Sequence, residues 1–220
     1  KDPKEDADLH YFAELEHLFD TMVIPDDVAA ILMESAIGEG GYLFPTKRWV
    51  QMVRELCTKH GILLIMDEIQ TGMGRTGKMW CFEHYDVVPD IITVAKGIAS
   101  GMPVAAVVAD RALMDKWAPG AHGGTYGGNA VGTAAAVATL QVMPENAARM
   151  GEILMAGLRE IQAAHPVIGD VRGLGLMVAV EFVKPDGSPN PEAVNQVIRT
   201  CLEEKVLLIT CGTWDQAIRI

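Results

Sequence analysis

The spacing of apolar residues predicts helices and strands that alternate along the first two thirds of the chain. Apolar positions recur at helical spacing from Leu9 to Phe19, which indicates a surface helix. The apolar run from Val28 to Met33 is predicted to be a short buried strand. Gly38 to Gly41 follow it, and a segment so rich in glycine is expected to form a loop with unusual backbone angles.

Further along, a predicted helix is again followed by a strand that is apolar on both faces. Thr46 can cap a helix that Gly61 ends, and the run from Ile62 to Met66 begins at once. Asp90 to Ala95 and Val104 to Ala109 are predicted as two more buried strands. Continuous apolar runs of this kind are typical of parallel strands covered by helices on both sides. The pattern therefore predicts an α/β fold.

The last third of the chain has a different order of elements. Asn129 to Met143 is rich in alanine and predicts a helix, and Glu145 to Ala164 predicts a second helix with one apolar face. A strand, a helix and a strand are then predicted at Leu176–Val183, Pro191–Lys205 and Val206–Thr210. We place a domain boundary near Met143, which divides the chain into residues 1–143 and 144–220.

Composition narrows the functional classes. Half of the 220 residues are hydrophobic and 21% are charged, so the chain can bury a core and is not intrinsically disordered. Its net charge of −11 argues against binding to nucleic acid or to an anionic membrane surface. The four cysteines form no Cys-x-x-Cys pair, and the acidic start has no signal-peptide features. We expect a cytoplasmic protein without a bound metal.

Gly72 to Gly77 reads Gly-x-Gly-x-x-Gly after a predicted strand, which is the pattern of a dinucleotide-binding loop. Three features argue against that function. Four residues separate the strand from the motif, and the segment after the motif is short and aromatic. The acid expected at the end of the second strand is also missing, because Asp90 begins a strand instead. A nicotinamide enzyme stays an alternative.

Two charged residues each follow a predicted buried strand directly. Asp67 ends one strand and Lys96 follows the next, and the carboxyl ends of parallel strands are where α/β sheets bind ligands. Taken alone, Asp67 could cap a helix. Lys96 could bury its aliphatic stem and extend its amine into solvent. A buried carboxylate needs a cationic partner, however, and the two residues together predict a ligand site at this edge.

Three segments around these residues resemble the class III aminotransferases, which are pyridoxal-phosphate enzymes of fold type I. The segments are Leu63 to Gly77, Asp90 to Gly97 and His122 to Asn129, in the family's order and spacing. Gly38 to Gly41 and Ile168 to Gly175 are most similar to the 4-aminobutyrate aminotransferase branch. The resemblance implies part of a large, mostly parallel-sheet domain that binds pyridoxal 5'-phosphate, followed by part of a C-terminal α+β small domain.

The resemblance also assigns roles to single residues. It implies that Lys96 holds the cofactor covalently and moves the proton at the substrate carbon, while Asp67 bonds the protonated pyridine nitrogen. Ile69 would pack on one face of the ring, and Gln70 would reach the ring hydroxyl. Thr125 would bind the cofactor phosphate of a neighbouring subunit, which implies a homodimer or a dimer of dimers.

Glu39 and Arg219 resemble a pair that selects substrates in the ω-amino-acid branch. There the glutamate masks the arginine while an amine donor reacts, and the arginine then binds the α-carboxylate of 2-oxoglutarate. The resemblance therefore implies transamination from an ω-amino acid such as 4-aminobutyrate to 2-oxoglutarate, giving the semialdehyde and glutamate. A loop glutamate and a surface arginine without this function are the alternative.

The chain departs from the family in three respects, of which Ala105 in place of a Gly or Ser is the smallest. It reads Glu34-Ser35-Ala36-Ile37 where the family usually has Glu-Pro-x-Gln. It is also much shorter than family members, so we predict a fragment that lacks the front of the cofactor site and the final helices of the small domain. Acetylornithine, ornithine and diamine aminotransferases and an aminomutase remain alternatives within the family. From a different class, a non-catalytic binding or assembly subunit that retains the fold is also an alternative.

Overall fold

The computed structural model describes residues 3–141 and 145–220. Contacts between Cα atoms divide these residues into two units. The first comprises residues 3–35, 45–72 and 80–141, and the second comprises residues 36–44, 73–79 and 145–220. Two loop segments thus belong to the second unit although they lie inside the predicted N-terminal domain. The predicted boundary between residues 143 and 144 falls outside the described residues.

The first unit is built on a four-stranded sheet in the order β1–β2–β3–β4. β1, β2 and β3 run parallel, and β4 pairs antiparallel with β3. The strands are β1 (Ala30–Glu34), β2 (Leu63–Asp67), β3 (Ile91–Val94) and β4 (Ala106–Ala109). The helices are α1 (Pro3–Thr21), α2 (Lys47–His60), α3 (Arg111–Met114) and α4 (Ala130–Leu140), with short 3₁₀ helices at Pro25–Asp27, Cys81–Tyr85 and Lys96–Ala99.

The second unit is an antiparallel sheet in the order β5–β6–β8–β7, with two helices. Its strands are β5 (Ile168–Leu174), β6 (Met177–Phe182), β7 (Ile209–Cys211) and β8 (Ala217–Arg219). Its helices are α5 (Glu145–Ala164) and α6 (Pro191–Glu203). A hydrophobic core joins the sheet to both helices and contains Val171, Val180, Phe182, Val194 and Ile218, with Met155 and Leu158 of α5 packed against it.

The α/β class predicted from the sequence is confirmed, but the prediction of a buried strand at Val104–Ala109 is wrong. The strand forms over Ala106–Ala109, and Val107 and Val108 are 49% and 48% exposed. Within the described residues, β4 is the last strand of its sheet and has a hydrogen-bonded neighbour on one side only. The apolar run therefore predicted correctly that a strand forms, but it did not predict how exposed the side chains of that strand are.

The sequence pattern also missed β5 and misplaced β7. Gly169 and Gly173 interrupt the apolar alternation in β5, and a Cβ at Gly173 would lie only 2.7 Å from the carbonyl oxygen of Met177 on β6. Glycine is needed there for close approach of the two strands. Helix α6 ends before the predicted Lys205 because Lys205 takes a left-handed φ of 65° and Val206 N bonds Cys201 O at 2.8 Å.

Both predicted ends of α2 are confirmed. The hydroxyl of Thr46 accepts a hydrogen bond from Trp49 N at 3.1 Å, and Gly61 adopts the left-handed conformation with φ of 69°. The Thr46 hydroxyl also donates to Asp8 Oδ2 at 2.5 Å, which ties α1 to the start of α2. One side chain thus satisfies an otherwise unpaired amide at the helix start and contacts the preceding helix.

Replacing Thr46 with alanine should lower the free energy of unfolding by about 1 kcal/mol, because the cap to Trp49 and the bond to Asp8 are both lost. Thr46→Ser keeps a hydroxyl and should retain most of the stability. Urea unfolding followed by circular dichroism would measure the difference. Equal stability of the alanine and serine variants would contradict this account of the helix start.

Candidate active site

Strand pairing brings the predicted ligand residues to one edge of the first sheet. β2 and β3 run parallel, and Asp67 at the end of β2 pairs in register with Thr93 on β3. Lys96 follows β3 after one intervening residue, Ala95, and begins a 3₁₀ helix. Asp67 and Lys96 therefore both lie at the carboxyl ends of neighbouring parallel strands, which is the ligand-binding edge in α/β sheets.

The carboxylate of Asp67 is half-buried and held by its own turn. Its Oδ1 accepts a hydrogen bond from the backbone amide of Ile69 at 2.8 Å. Within residues 3–141 and 145–220, no hydrogen bond is made to its Oδ2. Ile69 and Gln70 occupy the turn that follows β2, and both are half-buried. The turn thus orients one oxygen and leaves the other without a hydrogen bond among the described residues.

Lys96 has a backbone conformation that is unusual for a residue with a side chain. Its φ is 43°, in the left-handed region. That conformation costs a residue with a Cβ about 1 kcal/mol or more, and such strain clusters at functional sites. The side chain is exposed, and its amine forms no ion pair within the part of the chain that the structure describes.

A neighbouring polar atom is also without a partner. The hydroxyl of Thr93, which pairs in register with Asp67, is shielded from solvent and makes no hydrogen bond among the described residues. Buried hydroxyls almost always have a partner. An open carboxylate oxygen, a buried hydroxyl and an amine at one sheet edge suit a ligand that has a protonated ring nitrogen and a carbonyl group. These residues fit the ring end of pyridoxal phosphate.

The loop around Thr125 is open in this chain. Thr125 is exposed in a turn, and a Cβ added at Gly123, Gly124 or Gly128 would meet nothing within 4 Å. The turn leads into α4, where the side chain of Asn129 accepts a hydrogen bond from Gly132 N at 2.7 Å. The described residues account for this loop as a helix entry, and its role in binding phosphate stays a prediction.

Glu39 and Arg219 form an ion pair within the second unit. Arg219 Nη1 lies 2.5 Å from Glu39 Oε1, with the Arg219 side chain 15% exposed and that of Glu39 78% exposed. The Nε of Arg219 is buried and has no hydrogen-bond partner in the described part of the chain. Burial also raises the pKa of Tyr42 and of Cys211 above their ordinary values, although Arg219 opposes both shifts. A shielded guanidinium is thus paired with a solvent-facing carboxylate.

The glycine motif at Gly72 to Gly77 has a packing role. A Cβ at Gly77 would lie 3.0 Å from the Cβ of Ala148 on α5. A Cβ at Gly175 would lie 2.5 Å from the carbonyl carbon of Thr76, and Leu176 N donates to Arg75 O at 2.8 Å. The motif is followed by a 3₁₀ helix of five residues rather than by an α-helix. Close packing within the second unit therefore accounts for Gly77 without a dinucleotide.

The structure reveals one buried carboxylate that the sequence analysis missed. Glu68 is 1% exposed, and each of its oxygens accepts two hydrogen bonds. Oε1 accepts from Ser35 Oγ at 2.6 Å and Phe82 N at 2.9 Å, and Oε2 accepts from Thr71 Oγ1 at 2.6 Å and Cys81 N at 3.0 Å. Glu68 thus joins the segment after β1, the turn that follows Asp67 and the start of the helix at Cys81–Tyr85.

A signal for Glu68 was present in the sequence. Side chains alternate along a strand, so Leu64, Met66 and Glu68 share one face while Asp67 lies on the other. Leu64 and Met66 are fully buried. Carrying the alternation one residue past the end of the strand would have placed Glu68 in the core.

Several kinds of site are absent from the described residues. No group of histidine, cysteine, aspartate and glutamate side chains there could hold a metal ion, and all four cysteines are free. None of the helices in those residues has the length and apolar character that a membrane-spanning helix needs.

Replacing Glu68 with glutamine should destabilise the protein by about 1–3 kcal/mol. Each carboxylate oxygen faces one backbone N–H, from Cys81 or from Phe82, so the new amide NH₂ opposes a donor in either orientation. The exposed Glu55 on α2 offers a matched control, and Glu55→Gln should leave stability within about 0.5 kcal/mol of the parent. Thermal or urea unfolding measures both, and a Glu68→Gln protein as stable as the control would contradict the assignment.

Comparison with known proteins places the chain in a family. The family described as Aminotransferase class-III matches residues 1–220. The chain is 47% identical over 214 residues to the 5-aminovalerate aminotransferase of Pseudomonas putida and 39% identical over 215 residues to the 4-aminobutyrate aminotransferase of Escherichia coli. Each alignment covers 94% of this chain and 50% of the relative, so the chain spans about half the length of these relatives. Acetylornithine aminotransferases and an alanine/serine racemase match as well.

A solved structure supports both the fold and the cofactor. An amine transaminase from an uncultivated Pseudomonas species, in its PLP-bound form, matches with a TM-score of 0.88 and 30% identity, over 100% of this chain and 54% of that one. The expectations of fold type I and of pyridoxal phosphate are thereby confirmed. The chain belongs to the class III aminotransferases, a family of pyridoxal-phosphate-dependent transaminases.

Proposed function

We propose that the complete protein transfers an amino group from an ω-amino acid, such as 4-aminobutyrate or 5-aminovalerate, to 2-oxoglutarate. The observation that carries this proposal is the ion pair between the shielded guanidinium of Arg219 and the exposed carboxylate of Glu39. Such a pair suits an enzyme that must accept one substrate with a carboxylate beside the reacting carbon and another substrate without it.

The residues at the edge of the first sheet would hold the cofactor. Pyridoxal phosphate, when bound, supplies the carbonyl that takes up the amino group and the ring that delocalises charge from the substrate carbon. Asp67 would keep the ring nitrogen protonated through its Oδ2, since Oδ1 is already held by Ile69 N. A charge-assisted hydrogen bond of this kind contributes about 1.5–3 kcal/mol. Lys96 would attach the cofactor and move the proton at the substrate carbon with its amine.

Glu39 and Arg219 would select between the two substrates. An ω-amino acid has no carboxylate beside its amino group, so Glu39 remains on Arg219 and keeps its charge paired. The α-carboxylate of 2-oxoglutarate can replace Glu39, because a glutamate that is 78% exposed is readily solvated once it leaves. Arg219 has a carboxylate partner in both states, and its planar guanidinium suits bidentate binding of a carboxylate.

The remaining assignments belong to the same proposal. Ile69 packs on the ring, Gln70 reaches the ring hydroxyl, and Thr125 binds the phosphate of a cofactor in a neighbouring subunit. Thr125 is exposed and its loop is open in this chain, which is compatible with a contact to another copy. A dimeric assembly and a cytoplasmic location complete the proposal.

A donor scan on the complete protein tests the function. Purified protein with pyridoxal phosphate and 2-oxoglutarate is offered 4-aminobutyrate, 5-aminovalerate, N-acetylornithine, ornithine and putrescine, and glutamate formation is measured. We expect the highest kcat/KM with the two ω-amino acids. A preference for N-acetylornithine or putrescine would contradict the proposed substrate class, and no transfer from any donor would favour a non-catalytic subunit.

A further inference from the structure

The proposed chemistry gives no task to Arg172, although this residue lies in the Ile168 to Gly175 segment that distinguished the branch. Arg172 is on β5, and its side chain is largely buried. Its Nη1 donates to Asp170 Oδ2 at 2.8 Å and to Glu181 Oε2 at 2.6 Å. Its Nε and Nη2 are directed away from these carboxylates, to the glycine-rich segment that carries Glu39.

Arg172 binds the backbone of that segment through three hydrogen bonds. Nη2 donates to Gly41 O at 2.7 Å, and Nε is shared between Gly41 O at 3.0 Å and Tyr42 O at 3.2 Å. Gly41 and Tyr42 have φ of 122° and 54°, so the chain takes an unusual path at both residues. A Cβ at Gly41 would lie 3.2 Å from Nη2, and glycine therefore allows the close approach.

A second anchor holds the same segment at Glu39 itself. The amide of Gly212, which follows β7, donates to the carbonyl of Glu39 at 2.9 Å. The backbone around Glu39 is thus fixed by Gly212 at Glu39 itself and by Arg172 two and three residues later. Because of these anchors the Glu39 side chain has a fixed starting point from which it reaches Arg219.

Arg172 and Arg219 differ in how fully they are paired. Burial opposes the charge of Arg172, but its hydrogen bonds to Asp170 and Glu181 outweigh burial and raise its pKa above the ordinary value. At least four of its five N–H groups are engaged within the unit, so Arg172 has little capacity left for a substrate carboxylate. Arg219, in contrast, has one exposed carboxylate partner and a buried Nε without a partner among the described residues.

We propose that Arg172 is a positioning residue for substrate selection: it holds the carbonyls of Gly41 and Tyr42, fixes the segment that carries Glu39, and thereby sets how firmly Glu39 masks Arg219. This inference rests on the proposed function of the Glu39–Arg219 pair. Loss of the Arg172 contacts releases the segment, weakens the masking of Arg219, and disfavours the ω-amino donor relative to a substrate that carries an α-carboxylate.

The test measures the two half-reactions of the complete protein separately by stopped-flow absorbance, with 4-aminobutyrate and with glutamate as single donors. Arg172→Met should lower kcat/KM for 4-aminobutyrate relative to that for glutamate by about ten-fold, the size expected for lost hydrogen bonds to a charged group. Arg172→Lys keeps the charge without the planar fork and should show a smaller shift in the same direction. Arg159→Met, at an exposed arginine of α5, is the matched control and should leave the ratio unchanged.

A double-mutant cycle with Glu39→Gln separates positioning from general damage to the fold. If Arg172 acts through Glu39, Glu39→Gln should also lower the ratio of kcat/KM for 4-aminobutyrate to kcat/KM for glutamate. Adding Arg172→Met to Glu39→Gln should then change this ratio by less than about two-fold. If the two substitutions instead changed the ratio independently, so that their separate fold-changes multiplied in the double variant, the inference would be overturned. A ratio unaffected by Arg172→Met, with Glu39→Gln still effective, would overturn it while the proposed function stands. No effect of Glu39→Gln would overturn the proposed function and this inference with it.

Hydrogen exchange supplies a readout that does not depend on activity. In Arg172→Met, the amides of residues 37–43 should exchange faster than in the parent, while those of β6 and β8 stay protected. Arg172→Lys provides the same comparison if the methionine variant does not fold. Unchanged exchange in residues 37–43 would show that Arg172 does not hold the segment, and that result would overturn the inference.

Discussion

The parallel pairing of β2 with β3 is the constraint on which the candidate cofactor site depends. It aligns Asp67 with Thr93 and so brings the end of β2 beside the start of the segment that carries Lys96. The register is fixed by burial, because Leu64 and Met66 on one face of β2 are fully enclosed. A shift by one residue would exchange the two faces. Glu68 would then replace Asp67 at the ligand edge, and the Glu68 network in the core would be lost.

Adjacent carboxylates thus have different roles because of the face each occupies. Glu68 accepts four hydrogen bonds and has no capacity left for a ligand. Asp67 accepts one from its own turn and retains an oxygen for a cation. Two arginines of the second unit show the same contrast, since Arg172 is paired on several sides whereas Arg219 has one solvent-facing partner. In each case the group with the incomplete set of partners is the one assigned to a ligand, and the fully paired group holds the backbone beside it.

The sequence predicted those features that local chemistry determines. Thr46 and Gly61 were recognised at the ends of α2 because capping depends on a single side chain or on a single backbone conformation. Asp67 and Lys96 became candidates for the site because a charge directly after an apolar run is conspicuous, and their roles stay predictions. β5 was missed, since its glycines are required by contact with β6, and that contact is invisible in a linear pattern. The part played by Arg172 was missed for the same reason, because Gly41 and Tyr42 are 131 and 130 positions away in the chain.

The central claim is that Lys96, at the carboxyl edge of the parallel strands, is the residue that carries the cofactor. Borohydride reduction of the complete protein with pyridoxal phosphate, followed by proteolysis and mass spectrometry, measures this directly. The account predicts one modified peptide, with the mass increment on Lys96, and loss of that modification in Lys96→Arg. Stoichiometric modification of a different lysine, with Lys96 unmodified, would contradict it.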